Sequence, residues 1–333
     1  MKISASVYAH ATDEIDEIVH SLEQIGVDYF HIDCNNEPKV FDEIAEIKKI
    51  SDKPIDLHLI TNTPANYFGL IEKQKPEFVS LQFEELPSEF TFPKIEGVKW
   101  GLAIKTETPI SVFESFANQC DFILIMATIP GKSGGQFDAR NFRKIRSFMR
   151  HFPNKSITVD GGVNAEVSFV LRSYGVQTAV VGSYLAKSDK QAISLNQLKY
   201  ENTESHFTVE DMMTSRAHLP IIKSVHCSLE NLLAKNEEYR LGYALIEDEE
   251  ENSVGISTNA DIRRGLLKNV NRVEALTAED IINNNPRKIE KTTTIKEMLS
   301  IIKSGKFISY IPVVNGKKLI GSVNLHFLIK GEL

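Results

Sequence analysis

The segment ITVDGG, Ile157 to Gly162, is a short apolar run that ends in an aspartate and two glycines. A run of this kind is typical of a buried strand followed by a tight turn. Similar glycine turns occur at PGKSGG, which starts at Pro130, and at Gly182-Ser183. Each of these turns follows another apolar run. The glycine-rich turns therefore come late in a longer series of predicted strands.

Eight such runs occur in the first 190 residues, with amphipathic helical patterns between them. Eight strands that alternate with helices predict a parallel sheet and can close into a (β/α)8 TIM barrel. An open doubly wound sheet would carry a glycine-rich turn after its first strand, but YAHATDE, Tyr8 to Glu14, has no glycine. Phosphate sites of TIM barrels follow the last strands, which favours the barrel. The predicted strands are Ile3–Ala9, Tyr29–Cys34, Ile55–Ile60, Phe78–Phe83, Val98–Ile104, Phe122–Ala127, Ile157–Asp160 and Thr178–Gly182.

Length and composition limit the classes of protein to which the chain can belong. Its 333 residues are enough for two domains, and a net charge of -7 gives no indication of nucleic-acid binding. No apolar run approaches the roughly 20 residues that a membrane helix needs. The three cysteines, Cys34, Cys120 and Cys227, fit neither a disulfide framework nor a zinc ribbon. We therefore expect a cytoplasmic protein that is not bound to a membrane.

Two histidines and two aspartates occupy the predicted ends of three strands. His31 and Asp33 lie in HIDCNNE, His58 lies in DLHLI, and Asp160 precedes the glycine pair. In a barrel these strand ends meet at one rim, where two imidazoles and two carboxylates suit one ion of Zn²⁺, Fe²⁺, Mn²⁺ or Co²⁺. Taken singly, the first pair also fits a surface turn, and His58 also fits a hydrogen-bonded barrel histidine.

Residues 1 to 186 resemble the ribulose-phosphate 3-epimerase family through motifs that occur in the family's order: HID, DLHLI, IMATIPG, VDGGVN and VVGS. The resemblance implies that His31, Asp33, His58 and Asp160 bind a divalent metal ion, and that Asp33 and Asp160 are the catalytic acid/base pair. It further implies a sugar-phosphate substrate and a set of substrate-binding residues. These are Ser6, His58, Met126, Gly131, Gly134, Gly161, Gly162, Gly182 and Ser183.

The activity that the resemblance implies is 3-epimerisation of a ketose phosphate through an ene-diolate. Such a reaction needs two groups that exchange protons with opposite faces of one carbon. The sequence departs from the family pattern at Asn35, Ile60, Gln82 and Lys105. We therefore expect the substrate to be ribulose 5-phosphate/xylulose 5-phosphate or a related ketose phosphate, and it need not be ribulose 5-phosphate. Two alternatives remain open, another ene-diolate sugar-phosphate isomerase or lyase and an inactive barrel that senses a sugar phosphate or nucleotide.

The second half contains an internal repeat with a period of about 66 to 69 residues. Each copy is predicted to contain a strand, a helix, two strands and a helix. The repeat resembles a pair of CBS domains, closest to that of arabinose-5-phosphate isomerases, which hints at a cell-surface sugar pathway. The predicted domains are a barrel at 1–190, a helix and linker at 191–207, and a CBS pair at 208–333, with copies at about 208–270 and 276–333.

The CBS resemblance implies a possible adenosine-nucleotide site and a role in association. Ser257, Thr258 and Asp261 in GISTNAD match the positions that line the cleft and hold a ribose. The alternative is a dimerisation module that binds no ligand. We expect a homodimer or a larger homo-oligomer.

Overall fold

The computed structural model describes residues 1–10, 14–128, 135–200, 206–303 and 309–324. The chain forms two compact units, of which the first includes the described residues up to 200 and the second those from 206. The first unit is of the α/β class, and the second mixes short strands with helices.

The first unit is a closed barrel of eight parallel strands that pair in chain order, with the first strand also pairing with the eighth. The predicted TIM barrel is therefore confirmed. Its strands consist largely of buried apolar residues, as expected where both faces of a parallel sheet are covered. They are β1 (Lys2–Ser6), β2 (Tyr29–Asn35), β3 (Ile55–Ile60), β4 (Phe78–Gln82), β5 (Lys99–Ile104), β6 (Phe122–Met126), β7 (Ser156–Asp160) and β8 (Thr178–Val181).

Seven helices belong to the described part of this unit. Gly26 ends the first with a φ of 87°, as its glycine predicts. Asn164 begins the fifth by accepting a hydrogen bond from the Val167 backbone N–H at 2.9 Å. The helices are α1 (Ile15–Ile25), α2 (Val40–Ile50), α3 (Phe68–Gln74), α4 (Arg140–His151), α5 (Ala165–Tyr174), α6 (Ser183–Ala186) and α7 (Gln191–Tyr200).

Four predicted strands are too long at their carboxyl ends, those of β4, β6 and β8 by one residue and that of β1 by three. β1 stops at Ser6, and Val7–Ala9 form a 3-10 turn. β4 stops at Gln82 and is likewise followed by a 3-10 turn, Phe83–Glu85. For β1 the reason is pairing, because its register with β8 ends at Ala5 and Val181, where β8 itself stops, and its register with β2 ends at Ser6 and His31.

The second unit contains two sheets, with the strand orders β10-β11-β12 and β13-β14-β15-β9. Each copy of the repeat shows the predicted strand, helix and antiparallel strand pair. The last predicted helix lies outside the described residues. The strands are β9 (Thr214–Ser215), β10 (Ile221–Lys223), β11 (Tyr243–Glu247), β12 (Ser253–Thr258), β13 (Ile289–Glu290), β14 (Tyr310–Asn315) and β15 (Lys318–Asn324). The helices are α8 (Val209–Met212), α9 (Leu229–Tyr239), α10 (Asn259–Lys268), α11 (Ala278–Ile281) and α12 (Ile295–Lys303).

The two copies share one core. The rings of Tyr243 and Tyr310 stack with centroids 4.1 Å apart, and the Tyr243 hydroxyl hydrogen-bonds Ser322 Oγ at 2.5 Å.

In the described parts of both units, no helix has the length and apolar character to span a membrane.

Candidate functional site

Four predicted ligands come together at the carboxyl ends of three barrel strands. His31 and Asp33 lie on β2, His58 lies on β3, and Asp160 is the last residue of β7. The parallel register sets Asp33 opposite His58. One ligand atom from each of the four residues lies within 4.8 Å of the others, which is close enough for all four to share one ion.

The donor set and its burial fit a divalent metal ion. The His31 and His58 side chains are buried, whereas the side chain of Asp33 is 25% exposed toward the rim. His31 Nε2 is buried, lies 3.4 Å from Asp33 Oδ1 and makes no hydrogen bond. A buried ring nitrogen left without a partner is costly, and coordination to a cation would satisfy it.

The two carboxylates have different electrostatic surroundings. Burial opposes the charge on Asp33, but the neighbouring His31 and His58 outweigh it and lower its pKa well below the ordinary range. Burial raises the pKa of Asp160 to about 6, with His31 opposing and Asp33 adding to the increase. Burial disfavours protonated His31, yet Asp56 and Asp33 hold its pKa well above 6.5.

Two residues that hold the histidines of the cluster were not predicted from the sequence. His31 Nδ1 lies 3.0 Å from Asp56 Oδ2, and His58 Nε2 lies 2.9 Å from Gln82 Oε1. Asp56 could have been found, because strand side chains alternate and Asp56 shares a face with His58, two residues later. Gln82 was noted only as a departure from the family pattern, since nothing in the sequence shows which ring its amide contacts.

The structure brings several predicted substrate-binding residues to the same rim. Ser6 ends β1 opposite His31, and Met126 ends β6 opposite Asp160. A Cβ atom at Gly182 would lie 3.4 Å from the Cβ of Ser6, so β1 and the turn after β8 are close.

The predicted glycine turns are only partly described. Gly161 and Gly162 follow Asp160 directly, with φ angles of 107° and 66°. Ser183 begins the short helix α6. Gly131 and Gly134 lie outside the described residues, so their predicted role stays a prediction.

A cleft of about 580 Å³ opens at the carboxyl ends of β2 to β6. All four positions at which the sequence departs from the family pattern line it: Asn35, Ile60, Gln82 and Lys105. The cleft adjoins the four-ligand cluster, because Gln82 contacts His58 and Asn35 lies two residues after Asp33.

The predicted nucleotide residues lie at the junction of β12 and α10 in the second unit. Ser257 is buried, and its hydroxyl donates to the Ile281 carbonyl at 2.6 Å. Asp261 Oδ2 accepts from the Thr258 backbone N–H at 2.9 Å, and Asp261 Oδ1 pairs with Arg264. In this structure the carboxylate of Asp261 therefore forms part of a helix cap.

The sequence profile of the ribulose-phosphate 3 epimerase family matches residues 2–186, more than half of the chain. The chain belongs to the ribulose-phosphate 3-epimerase family. Membership makes it an isomerase of the epimerase class that acts on carbohydrates. The match coincides with the closed barrel and includes all four clustered candidate ligands.

Curated relatives agree with this assignment over nearly their whole length. The chain is 27% identical over 210 residues to ribulose-phosphate 3-epimerase of Bacillus subtilis (strain 168), covering 58% of this chain and 97% of that protein. It is 24% identical over 212 residues to ribulose-phosphate 3-epimerase of Methanocaldococcus jannaschii, covering 60% of this chain and 90% of that protein.

A second profile, that of the CBS domain, matches residues 278–326. The second unit thus contains a CBS domain joined to the epimerase barrel. A solved structure of the CBS-pair protein CBSX2 from Arabidopsis thaliana is 21% identical, with a TM-score of 0.33, and covers 38% of this chain and 94% of that one. The finer likeness to the CBS pair of arabinose-5-phosphate isomerases stays a prediction.

Proposed function

We propose that the chain is a metal-dependent ketose-phosphate 3-epimerase that uses Asp33 and Asp160 as its two proton-transfer groups. The observation that carries the proposal is the cluster in which both carboxylates and two imidazoles place ligand atoms within 4.8 Å of one another. Such a cluster combines the donors for one divalent ion with two groups that can each take up and return a proton.

The placement of the carboxylates suits exchange of a proton at one carbon. Asp33 projects from β2 and Asp160 from β7, with β1 and β8 between these strands in the barrel. For one direction of the reaction, Asp33 takes the proton on C3 of the substrate, leaving an ene-diolate, and Asp160 returns a proton to the opposite face of C3. The reverse reaction exchanges their roles, so no proton is gained or lost overall.

The metal ion would be held by His31, Asp33, His58 and Asp160. When bound, it supplies a Lewis acid that stabilises negative charge on the substrate oxygens. The ion is Zn²⁺, Fe²⁺, Mn²⁺ or Co²⁺, since each accepts this mixture of imidazole and carboxylate ligands.

Substrate binding in this proposal relies on the turns after the last strands. Backbone N–H groups in glycine turns bind phosphate well, which assigns Gly161, Gly162 and Gly182 with Ser183 to the phosphate end. Ser6 and Met126 lie at neighbouring strand ends and would contact the sugar. Because the phosphate is bound in these turns, away from the reacting carbon, that carbon is held in position between the two carboxylates.

The identity of the ketose is the least constrained part of the proposal. The cleft beside the cluster is lined by the four departures from the family pattern, of which Asn35 and Lys105 add hydrogen-bonding capacity. Sites that form hydrogen bonds to particular hydroxyl groups discriminate strongly against sugars without them. The proposed substrate is ribulose 5-phosphate or a related, differently hydroxylated ketose phosphate.

The test is exchange of the C3 proton in D₂O, followed by NMR on pentulose, hexulose and heptulose phosphates with each of the four metal ions supplied. Deuterium at C3 of one sugar would support epimerase chemistry and identify the substrate class. Absence of exchange with every sugar, in folded protein that has bound metal, would contradict the proposal and favour a sensing role.

Asp160→Asn removes one of the two proton-transfer groups. We expect the rate of epimerisation at C3 to fall by about 10²–10⁴, because an amide cannot serve as the second acid or base, whereas Asp33 can still exchange the C3 proton of one epimer with solvent. The rate is measured at saturating metal, with bound metal determined separately. Asp28→Asn is the matched control, since Asp28 lies at the amino end of β2 and contacts Lys2 and Lys199 instead of the cluster. Full activity of metal-loaded Asp160→Asn would exclude the two-carboxylate mechanism.

We further propose that the second unit is a regulatory or dimerisation module that can bind an adenosine nucleotide through Ser257, Thr258 and Asp261. The CBS profile match supports the module's class. Binding at Asp261 requires its carboxylate to exchange the Arg264 pair for a ribose hydroxyl. Isothermal titration with AMP measures this directly, and the assembly state, proposed to be a homodimer or larger, is measured by light scattering.

A further inference from the structure

The two histidines of the cluster are held through opposite ring nitrogens. His31 is bound at Nδ1 by Asp56, whereas His58 is bound at Nε2 by Gln82. The nitrogens that remain, His31 Nε2 and His58 Nδ1, lie 3.4 Å and 3.1 Å from the same atom, Asp33 Oδ1. The two rings therefore present different nitrogens to the centre of the cluster.

Asp56 determines the hydrogen position on His31. Its side chain is buried, and Oδ2 also accepts a hydrogen bond from Ser4 Oγ at 2.8 Å, which fixes the orientation of the carboxylate. An ionised carboxylate only accepts hydrogen bonds, so His31 Nδ1 must donate. In the neutral ring, the form that binds a metal ion, the lone pair is then on Nε2, the buried nitrogen that has no hydrogen-bond partner.

Gln82 has the corresponding effect on His58. Its amide nitrogen donates to Glu84 Oε2, so its carbonyl oxygen is the atom that faces the ring. Glu84 is itself held by the Lys105 backbone N–H at 2.9 Å and by the Thr108 hydroxyl. Because an amide oxygen only accepts, His58 Nε2 must donate. His58 Nδ1 hydrogen-bonds Asp33 Oδ1 at 3.1 Å, and in the neutral ring that binds a metal ion Nδ1 is the nitrogen that has the lone pair.

We infer that Asp56 and Gln82 are positioning residues that select the metal-binding nitrogens, Nε2 of His31 and Nδ1 of His58. The inference rests on the metal site of the proposed function. Neither residue is a metal ligand or contacts the reacting atoms, and each acts through the ring it holds. Partners of this kind fix the orientation and the tautomer of an imidazole and typically change metal affinity by about 10–100-fold.

The direct test is NMR of the full chain labelled with ¹⁵N in its histidine rings and loaded with Zn²⁺. Long-range ¹⁵N–¹H correlations identify which ring nitrogen carries the metal and which carries the hydrogen. We expect zinc on His31 Nε2 and on His58 Nδ1. Zinc on the other nitrogen of either ring would overturn this inference while leaving the proposed metal site intact. Failure of zinc to bind would overturn both.

Variants test the role of each holder through zinc affinity, measured by competition with a chelator. Asp56→Leu and Gln82→Met are close in size to the native residues and remove the acceptor, and each should bind zinc about 10–100-fold more weakly. Asp56→Asn keeps an acceptor oxygen and should recover most of that loss, with zinc still on His31 Nε2. Asp28→Asn, at the other end of β2, should bind zinc as the wild type does. Equal zinc affinity in all four variants would overturn the inference.

Discussion

Gly162 combines a left-handed backbone with a close approach to the neighbouring loop. Its φ is 66°, and a Cβ atom at this position would lie 2.2 Å from the backbone nitrogen of Phe137. The turn after β7 can therefore pass directly against the segment that leads into α4. A side chain here would displace backbone, which cannot move as a flexible side chain can.

Gly162→Ala should lower the free energy of unfolding by more than backbone strain alone accounts for. Gly26→Ala is the control, because Gly26 also has a positive φ, 87°, but has no atom within 4 Å of the added Cβ. We expect about 1–2 kcal/mol for Gly26→Ala and about 1–3 kcal/mol more for Gly162→Ala. Urea unfolding of the metal-free chain measures the free energy of unfolding of both variants. Equal losses of stability would show that the segment around Phe137 moves aside without cost.

Single residues also show where sequence reasoning stops. His31, Asp33, His58 and Asp160 could be predicted as a group because strand ends of a barrel meet at one rim. The contact of Gln82 with His58 could not, because it depends on how an amide rotates between a ring and Glu84. The sequence specifies that Gln82 lies at the end of a strand, whereas the packing of the neighbouring side chains decides which residue its amide contacts.

Helix α10 begins with a capping box in which Thr258 and Asp261 bond each other's backbone. The same arrangement recurs at the start of α11, with Thr277 and Asp280. Asp261 and Asp280 both cap a helix, but nucleotide binding is proposed only for Asp261. Comparing the two aspartates therefore separates the capping role of Asp261 from its proposed binding role.

Asp261→Ala should lower the stability of the second unit by about 1 kcal/mol through loss of its cap. It should also abolish AMP binding if the ribose contact is correct. Asp280→Ala removes the equivalent cap and should leave AMP affinity unchanged. Calorimetric titration and thermal unfolding of each variant measure the two effects, and AMP affinity that survives Asp261→Ala would rule out the ribose contact.

Elements were predicted better than their ends. Helices α1 and α5 follow from an apolar stripe closed by a glycine, which local sequence specifies. The carboxyl end of β1 depends on where its pairing with β2 and β8 ends, which is a property of distant segments. Local patterns cannot contain that information.

Each unit of the chain has its own core, so we expect two unfolding transitions in calorimetry. Under the proposed function zinc binds the folded barrel, so it should stabilise the barrel transition alone, by about 2.7 kcal/mol at a free concentration one hundred times its Kd. His58→Ala removes one proposed ligand and should abolish most of this stabilisation. If zinc also raised the midpoint temperature of the second unit's transition, the ion would bind outside the barrel as well.

The order in which the ligands occur along the chain has a consequence for synthesis. His31, Asp33 and His58 lie in the first three strands, whereas Asp160 ends the seventh. A chain emerging from the ribosome therefore carries three of the four donors long before the fourth exists, and β8 must still pair with β1 to close the ring. The proposed four-ligand site can form only after nearly the entire barrel has been made, so a full-affinity metal complex would mark a finished barrel and not a growing one.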